Sequence, residues 1–463
     1  MMLSEEREAG WPEWVALAAY LALGIVLLLH HEGWRDEADS WLMVRDAPLL
    51  HIPAILGRAG TPLLWYALLV PFARAGLPYA AQFAVHTVIA AGAAAVLLFL
   101  SPFRRPLKLL LLFSYYLGYE YLAVARSYAL MILLLFALAA MYERRTERPI
   151  AFALLLALFV NTTVHALLIG AGIAAVTAWE LVTCRARRRW AAIAIMLAGG
   201  LAAAAPIILY REGATVDPFG IVRWKGPLQA LAGAWMPTIT VRRMFLFGIA
   251  SFVAAGVALL RKRDALLILC SSWAALFFIY TFVYIGDLRH FGLLLMTLLF
   301  AMWIGKPQPG HAQTVLAVLL YGTLLVSLAV AVRTWRLEVT ESFSGSKEMA
   351  AYLVDNRLAG QPIAAHAPPM AESVLAYLPR GTRFWFPPLQ RFGTYMEWDA
   401  RQLVATDVPN DVAASQALRR DPRFLILTSG PLEHPEALGL HLVYRNPTPV
   451  FMKKDETYFL YRR

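Results

Sequence analysis

Apolar stretches of about 17–22 residues recur along the chain, each followed by a short polar loop, and about 20 residues of helix cross a hydrocarbon core of about 30 Å. The first runs from about Trp14 to His30, and others follow at 61–77, 79–100, 107–119, 128–141, 149–162, 164–183, 191–209, 244–260, 265–285, 288–304 and 312–332. This pattern predicts a mostly α, polytopic membrane protein with 11 to 13 transmembrane helices. Four loops are strongly basic, SPFRRPLK (101–108), YERRTERP (142–149), CRARRRW (184–190) and RKRD (261–264). An excess of Lys and Arg marks cytoplasmic loops. The polar stretches GYEYLAVARS, FVNTTVH, YREGATVDPFGIVRWKGP and IGDLRH then fall on the outer face. From residue 101 onward the alternation closes. Before it, two full crossings at 61–77 and 79–100 would put SPFRRPLK outside, so whether 61–77 spans stays open.

Beyond Arg333 the pattern changes. No run within 337–463 is long enough to span. GSKEMAAYLVDNRLAG has helical spacing, with Ser344 or Ser346 as a cap. QPIAAHAP, RFLILTSGP, LHLVYRN and ETYFLYRR read as short strands between turns. The expected organisation is a membrane domain at 1–336 and a small extracytoplasmic α/β domain at 337–463.

Composition agrees with that pattern. Of 463 residues, 59% are hydrophobic and only 16% charged, against about 25% charged in soluble chains. The net charge of +11, from 42 Lys+Arg and 31 Asp+Glu, sits largely in the short loops and argues against nucleic acid as a partner. Cys184 and Cys270 give neither a disulfide framework nor a metal pattern. The acidic start without a small-residue cleavage site makes the first apolar run a retained span rather than a signal peptide.

The outer polar stretches carry the candidate chemistry. Gly33-Trp34-Arg35-Asp36-Glu37-Ala38-Asp39-Ser40-Trp41 puts three carboxylates just past the first span. Such acids can deprotonate a hydroxyl nucleophile or hold a metal against phosphate; the plainer reading is a solvated loop with interfacial tryptophans. Glu120 and Arg126 lie between two apolar runs, followed by Tyr128, and an arginine there can grip phosphate bidentately. His165 and the Arg289-His290 pair interrupt later runs on the same side, where packing and helix-end anchoring are the plainer roles. Charges at that depth are costly enough to mark function.

Taken in order, these motifs resemble GT-C glycosyltransferases, closest to the protein O-mannosyltransferase, aminoarabinose-transferase and RgtA/B/C/D-like families. The resemblance rests on the Asp-Glu-Ala start of the outer loop, on Thr61-Pro62-Leu63-Leu64-Trp65-Tyr66, and on the stretch from Glu120 to Leu130. His165, Arg289-His290-Phe291, Pro362 to His366 and Phe392 to Tyr395 add to it. A double proline in the family pattern is Thr61-Pro62 here, and Arg-Pro-Tyr is Arg126-Ser127-Tyr128.

The resemblance implies an inverting transfer of a sugar from a polyprenyl-phosphate donor. The acceptor is a lipid, glycan or protein at the outer face of a bacterial cytoplasmic membrane. Asp36 is the expected base, with Glu37 and Glu120 orienting the acceptor. Arg126, Tyr128, His165, Arg289, His290 and Lys225 are the expected substrate-binding residues, and the loop at 211–243 the expected cover. A divalent ion (Mg2+ or Mn2+) is the one cofactor the acids invite, with Asp36, Glu37 and Glu120 as candidate ligands. A transporter or lipid flippase is the alternative, for which ionisable residues in mid-span and broken helices would be the signs.

Overall fold

A computed structural model describes residues 2–3, 10–210, 222–238 and 243–463, the side chain of Leu403 aside. The first half runs α1 (Trp11–His30), α2 (Arg35–Asp46), α3 (Ile52–Arg58), α4 (Leu64–Arg74), α5 (Ala80–Leu100) and α6 (Arg105–Phe113). A π-helical turn at Tyr116–Glu120 leads into the single turn α7 (Tyr121–Ala123), then α8 (Ser127–Met141), α9 (Pro149–Val160), α10 (Val164–Thr183) and α11 (Arg189–Leu209). There follow α12 (Lys225–Trp235), α13 (Phe245–Ala258), α14 (Arg263–Phe278) with a π-helical turn at Ile279–Val283, α15 (Leu288–Gly305) and the long α16 (His311–Thr340).

Among the described residues eight helical stretches are long and apolar enough to cross a membrane, those of α1, α5, α8, α10, α11, α14, α15 and α16. Shorter apolar helices account for the rest of the expected 11 to 13. The 61–77 segment is one of them. Its helix, α4, has 11 residues, about 16 Å at 1.5 Å per residue, too short for a full crossing. Thr61-Pro62 delays its start and Gly76, at φ +83°, turns the chain straight into α5. The expected 107–119 span is likewise broken, into α6, the π-helical turn and α7.

The C-terminal part adds α17 (Ser346–Asp355), β1 (Ile363–His366), α18 (Pro368–Tyr377), β2 (Phe384–Phe386), β3 (Arg391–Gly393), α19 (Ala400–Thr406), α20 (Asn410–Arg420), β4 (Leu425–Thr428), β5 (His441–Arg445) and β6 (Phe459–Arg462). They form one sheet in the order β3-β2-β1-β4-β6-β5, with β1 parallel to β2 and β4 and the outer pairs antiparallel. The four expected strands are β1, β4, β5 and β6. Neither expected serine caps α17: its N-cap residue is Gly345, Ser346 is the first helical residue, and Ser344 Oγ accepts from the Ser346 amide at 3.2 Å.

This part is built onto the segment that follows α1. One apolar cluster combines Trp41, Leu42 and Val44 of α2 and Trp65 and Leu69 of α4 with Met349, Val374, Leu375 and Phe384. Polar ties reinforce the join. The Gly33 amide donates to Tyr377 Oη (2.7 Å), Ser346 Oγ donates to the Gly33 carbonyl (2.8 Å), and the Arg35 amide donates to Glu456 Oε1 (3.1 Å). Gly33 has no room for a side chain, since a Cβ would lie 2.3 Å from Tyr79 Oη. The orientation of α2 is therefore set from both sides.

Candidate functional site

Asp36 sits in the first turn of α2, where an acid suits the helix dipole. Trp34 caps that helix with extended backbone, and Glu37 closes the capping box by accepting from the Trp34 amide at 3.1 Å. Two guanidiniums from distant breaks converge on Asp36. Arg289 Nη2 donates to Asp36 Oδ2 at 3.0 Å, and Arg126 Nη2 lies 3.9 Å from the same oxygen. Arg126 Nη1 also donates to the Asp36 carbonyl. The three side chains keep 14–18% of their surface open, so the cluster is half-buried and reachable. Burial alone would push the Asp36 carboxyl up. Arg126 and Arg289, helped by Arg35 and Lys453, outweigh it and hold Asp36 below the usual carboxylate range.

Aromatic rings wall the cluster. Trp34 lies under the Arg289 guanidinium (5.1 Å) and under Lys453 Nζ (3.6 Å). Tyr128 meets His290 edge-on at 5.3 Å, and His290 stacks on His165 at 5.0 Å. His165 Nε2 pairs with Tyr284 Oη (3.0 Å), while His290 Nδ1 accepts from the Asp287 amide (2.7 Å). Each histidine uses one ring nitrogen in this way, and His165 Nδ1 stays buried without a partner. Arg289 Nε, likewise buried and without a hydrogen bond, is a spare donor beside the cluster.

Asp36 opens onto a cavity of about 340 Å3, which Asp39, Glu372, Trp398 and Asp407 also line. Asp39 Oδ1 accepts from Trp398 Nε1 at 3.3 Å. Burial, against the Arg126 charge and with Asp36 nearby, raises the Asp39 carboxyl to about 7. Glu372, on α18, is 1% exposed and neither of its oxygens makes a full hydrogen bond. Burial pushes its carboxyl well up, Asp39 and Asp36 adding to the rise while the Met396 amide steadies the charged form.

The other expected site residues lie elsewhere. Glu37 is fully buried and its carboxylate is taken up by His31 Nε2 (3.1 Å) and by the Trp34 and Ala125 amides. His31 Nδ1 bonds Glu338 of α16 (2.7 Å), whose second oxygen accepts from Tyr119 Oη (2.5 Å). Burial opposes the charged imidazole, but the two glutamates outweigh it and hold His31 well above its usual range. Glu37 therefore ties the end of α1, the start of α2 and the Arg126 segment together.

Glu120 accepts from Tyr115 Oη at 2.9 Å, in the π-helical turn. Asp36, Glu37 and Glu120 do not form a ligand set, and among the described residues no three His, Cys, Asp or Glu side chains group as a metal site. The divalent-ion expectation does not fit this geometry; guanidiniums occupy the place beside Asp36. Lys225 is exposed at the start of α12 and, among the described residues, has no contact with the cluster. Of the expected covering loop, 211–221 and 239–242 lie outside the described residues.

Sequence reasoning missed Lys453, Glu372 and Trp398, all from the C-terminal part. Glu372 alone left a trace, as a single acid inside the apolar helical stretch Met370 to Leu375. No protein-family model, no curated protein and no solved structure matches the chain.

Proposed function

We propose that the chain is a polytopic membrane glycosyltransferase of GT-C type, transferring a sugar from a polyprenyl-phosphate donor to a hydroxyl acceptor with inversion. The observation that carries this reading is one carboxylate held by two guanidiniums beside an open cavity, just past the end of the first long apolar helix. The eight long helices, with α6–α7, α9 and α13 as broken or short passes, give eleven crossings. That count puts all four basic loops inside once α4 stays on the outer side, and it leaves the sheet and Asp36 outside. We take that membrane to be the bacterial cytoplasmic membrane, as the family resemblance implies.

In this reading Asp36 takes the proton of the acceptor hydroxyl, whose oxygen attacks the anomeric carbon as the carbon–oxygen bond to the lipid phosphate breaks. The departing phosphate keeps the bonding pair and gains one negative charge, which Arg126 and Arg289 neutralise. In the empty site those cations weaken Asp36 as a base. A donor phosphate among them adds negative charge and raises the affinity of Asp36 for a proton, so the base gains strength once the donor is bound. The cavity with Asp39, Glu372 and Trp398 offers carboxyls and a ring for acceptor hydroxyls.

The test is purified protein in vesicles, given radiolabelled polyprenyl-phosphate sugars and a mixed envelope extract. Transfer with inverted anomeric configuration supports the reading. Vectorial movement of the lipid without transfer would favour a flippase instead.

A further inference from the structure

On the opposite side of α2 the chain has a second, cationic site. At about 100° per residue, Asp36 and Asp39 lie within about 60° of each other. Trp41 and Arg45 point about 140° and 180° away from Asp36. They line two adjoining cavities that share no residue with the Asp36 cavity.

The larger, of about 500 Å3, carries Arg45, Arg74, Arg380, Arg383 and Arg391 against only two carboxylates, Asp46 and Glu397. Two of the arginines are fixed in place. Arg45 is 7% exposed and forks onto Asp46 with two bonds of 2.8 Å, and Arg74 Nε donates to the Val44 carbonyl at 2.7 Å. Arg391 reaches Glu397 at 3.2 Å. Arg380 and Arg383 are exposed and, among the described residues, have no hydrogen bond or ion pair. Three positive charges are therefore left over, two of them on free guanidiniums.

The adjoining cavity, of about 370 Å3, shares Arg45 and Arg380 with the first and also touches Lys347 and His31, but most of its wall is apolar, with Leu28, Trp41, Leu77, Pro78 and Phe83. Leu28 lies in the last turn of α1 and Phe83 in the first turns of α5, the ends that the charge pattern puts at the outer surface. A multiply charged anion matches the arginine chamber, and a hydrocarbon chain matches the apolar one.

We propose that this double cavity binds a membrane lipid with a dianionic or more highly charged headgroup, separately from the Asp36 site. It rests on the outer placement of α1 and α5 in the membrane reading, and not on sugar transfer.

The experiment is calorimetry on the full chain in phosphatidylcholine nanodiscs, with three probes: dihexanoyl phosphatidic acid, dihexanoyl phosphatidylcholine and inorganic pyrophosphate. Phosphatidic acid should bind about tenfold or more tighter than either of the others. The exposed pair Arg380→Glu with Arg383→Glu should weaken it by about tenfold or more, as expected for lost charge-assisted contacts, with the melting temperature unchanged. Leu77→Asp should weaken phosphatidic acid and spare pyrophosphate. Arg289→Ala should leave phosphatidic acid binding as it was.

The proposal is overturned if the Arg380 and Arg383 reversals have no effect, or if pyrophosphate binds as well as the lipid, which makes it a free-anion site. Equal binding of phosphatidylcholine also overturns it. Loss of binding in Arg289→Ala places the lipid at Asp36 and sinks the second site, whereas failure of the transfer assay alone leaves it standing.

Discussion

Asp36→Asn separates the two roles given to Asp36, that of base and that of counter-charge. At 3.0 and 3.9 Å, an effective dielectric constant of about 20 gives gross attractions to Arg289 and Arg126 of about 5.5 and about 4 kcal/mol. In the empty protein these attractions hold both guanidiniums on the carboxylate. A donor phosphate has to share them, and at about 6 Å from Asp36 it meets a repulsion of about 3 kcal/mol. Asparagine keeps the shape and removes the charge. Donor binding should therefore tighten, by about tenfold to a hundredfold. Transfer should fall by about 10²-fold or more, since the acceptor hydroxyl has lost its base. Two half-buried guanidiniums without a counter-charge should also cost the empty variant about 3 kcal/mol of stability, recovered when phosphate is added. The measurements are donor affinity in nanodiscs, single-turnover transfer at saturating donor, and melting temperature with and without polyprenyl phosphate. Weaker donor binding, or turnover near the parent value, would refute the reasoning.

Arg126→Ala and Arg289→Ala should each weaken donor binding by about 1.5–3 kcal/mol, the range for a charge-assisted contact; normal affinity with a lowered melting temperature would make both purely structural. Asp39 holds its proton up to about pH 7 in the folded chain against an ordinary 3.8, so its contribution falls as pH rises between those values. The penalty is complete above pH 7 and reaches up to about 4 kcal/mol. Asp39→Asn should raise the melting temperature at pH 8, leave it unchanged at pH 3, and alter transfer far less than Asp36→Asn. Equal melting curves at pH 8 would remove Asp39 from the acid cluster. Gly33→Ala should cost about 1–3 kcal/mol by overpacking, because its Cβ would press on Tyr79 and Phe83; an unchanged thermal transition would contradict the tight packing of the α1–α2 link against the start of α5.

Hydropathy made the long helices legible, because twenty apolar residues carry their own signal whatever they pack against. It left 61–77 open, where the apolar run continues past Arg74 but the helix does not. Strands β1, β4, β5 and β6 were legible as short runs between turns. Phe384-Trp385-Phe386 and Arg391-Phe392-Gly393 were not, since three residues hold no alternation to read. Asp36, Arg126 and Arg289 stood out as charges next to apolar runs. Their meeting did not, because the Asp36–Arg289 contact joins positions 253 residues apart. Glu37 was expected beside Asp36 as an acceptor-orienting residue, yet one residue along a helix turns the side chain by about 100°, enough to send it to His31 and the Ala125 amide instead of the cavity.

The placing of the two arginines supports an anion as the ligand better than their number does. Arg126 is the N-cap residue of α8 and Arg289 lies in the first turn of α15. A helix start already carries about half a positive charge, so a cation there is on the wrong end of the dipole. Asp36 stands in the first turn of a third helix, α2, where an acid is favoured. Three helix starts and three cations, Arg126, Arg289 and Lys453, therefore surround two carboxylates, since Asp287 lies 3.6 Å from Arg289 and 3.8 Å from Lys453, and two negative charges do not balance them. α15 has the acid that stability asks for, Asp287, which accepts from the Leu288 amide at 2.7 Å, whereas α8 starts on Arg126 itself without a side-chain cap. The surplus of positive potential is an unfavourable element of the empty fold, and an incoming phosphate removes it. This explains why one substitution at Asp36 is expected to help binding and abolish transfer, while substitutions at Arg126 and Arg289 are expected to lose both.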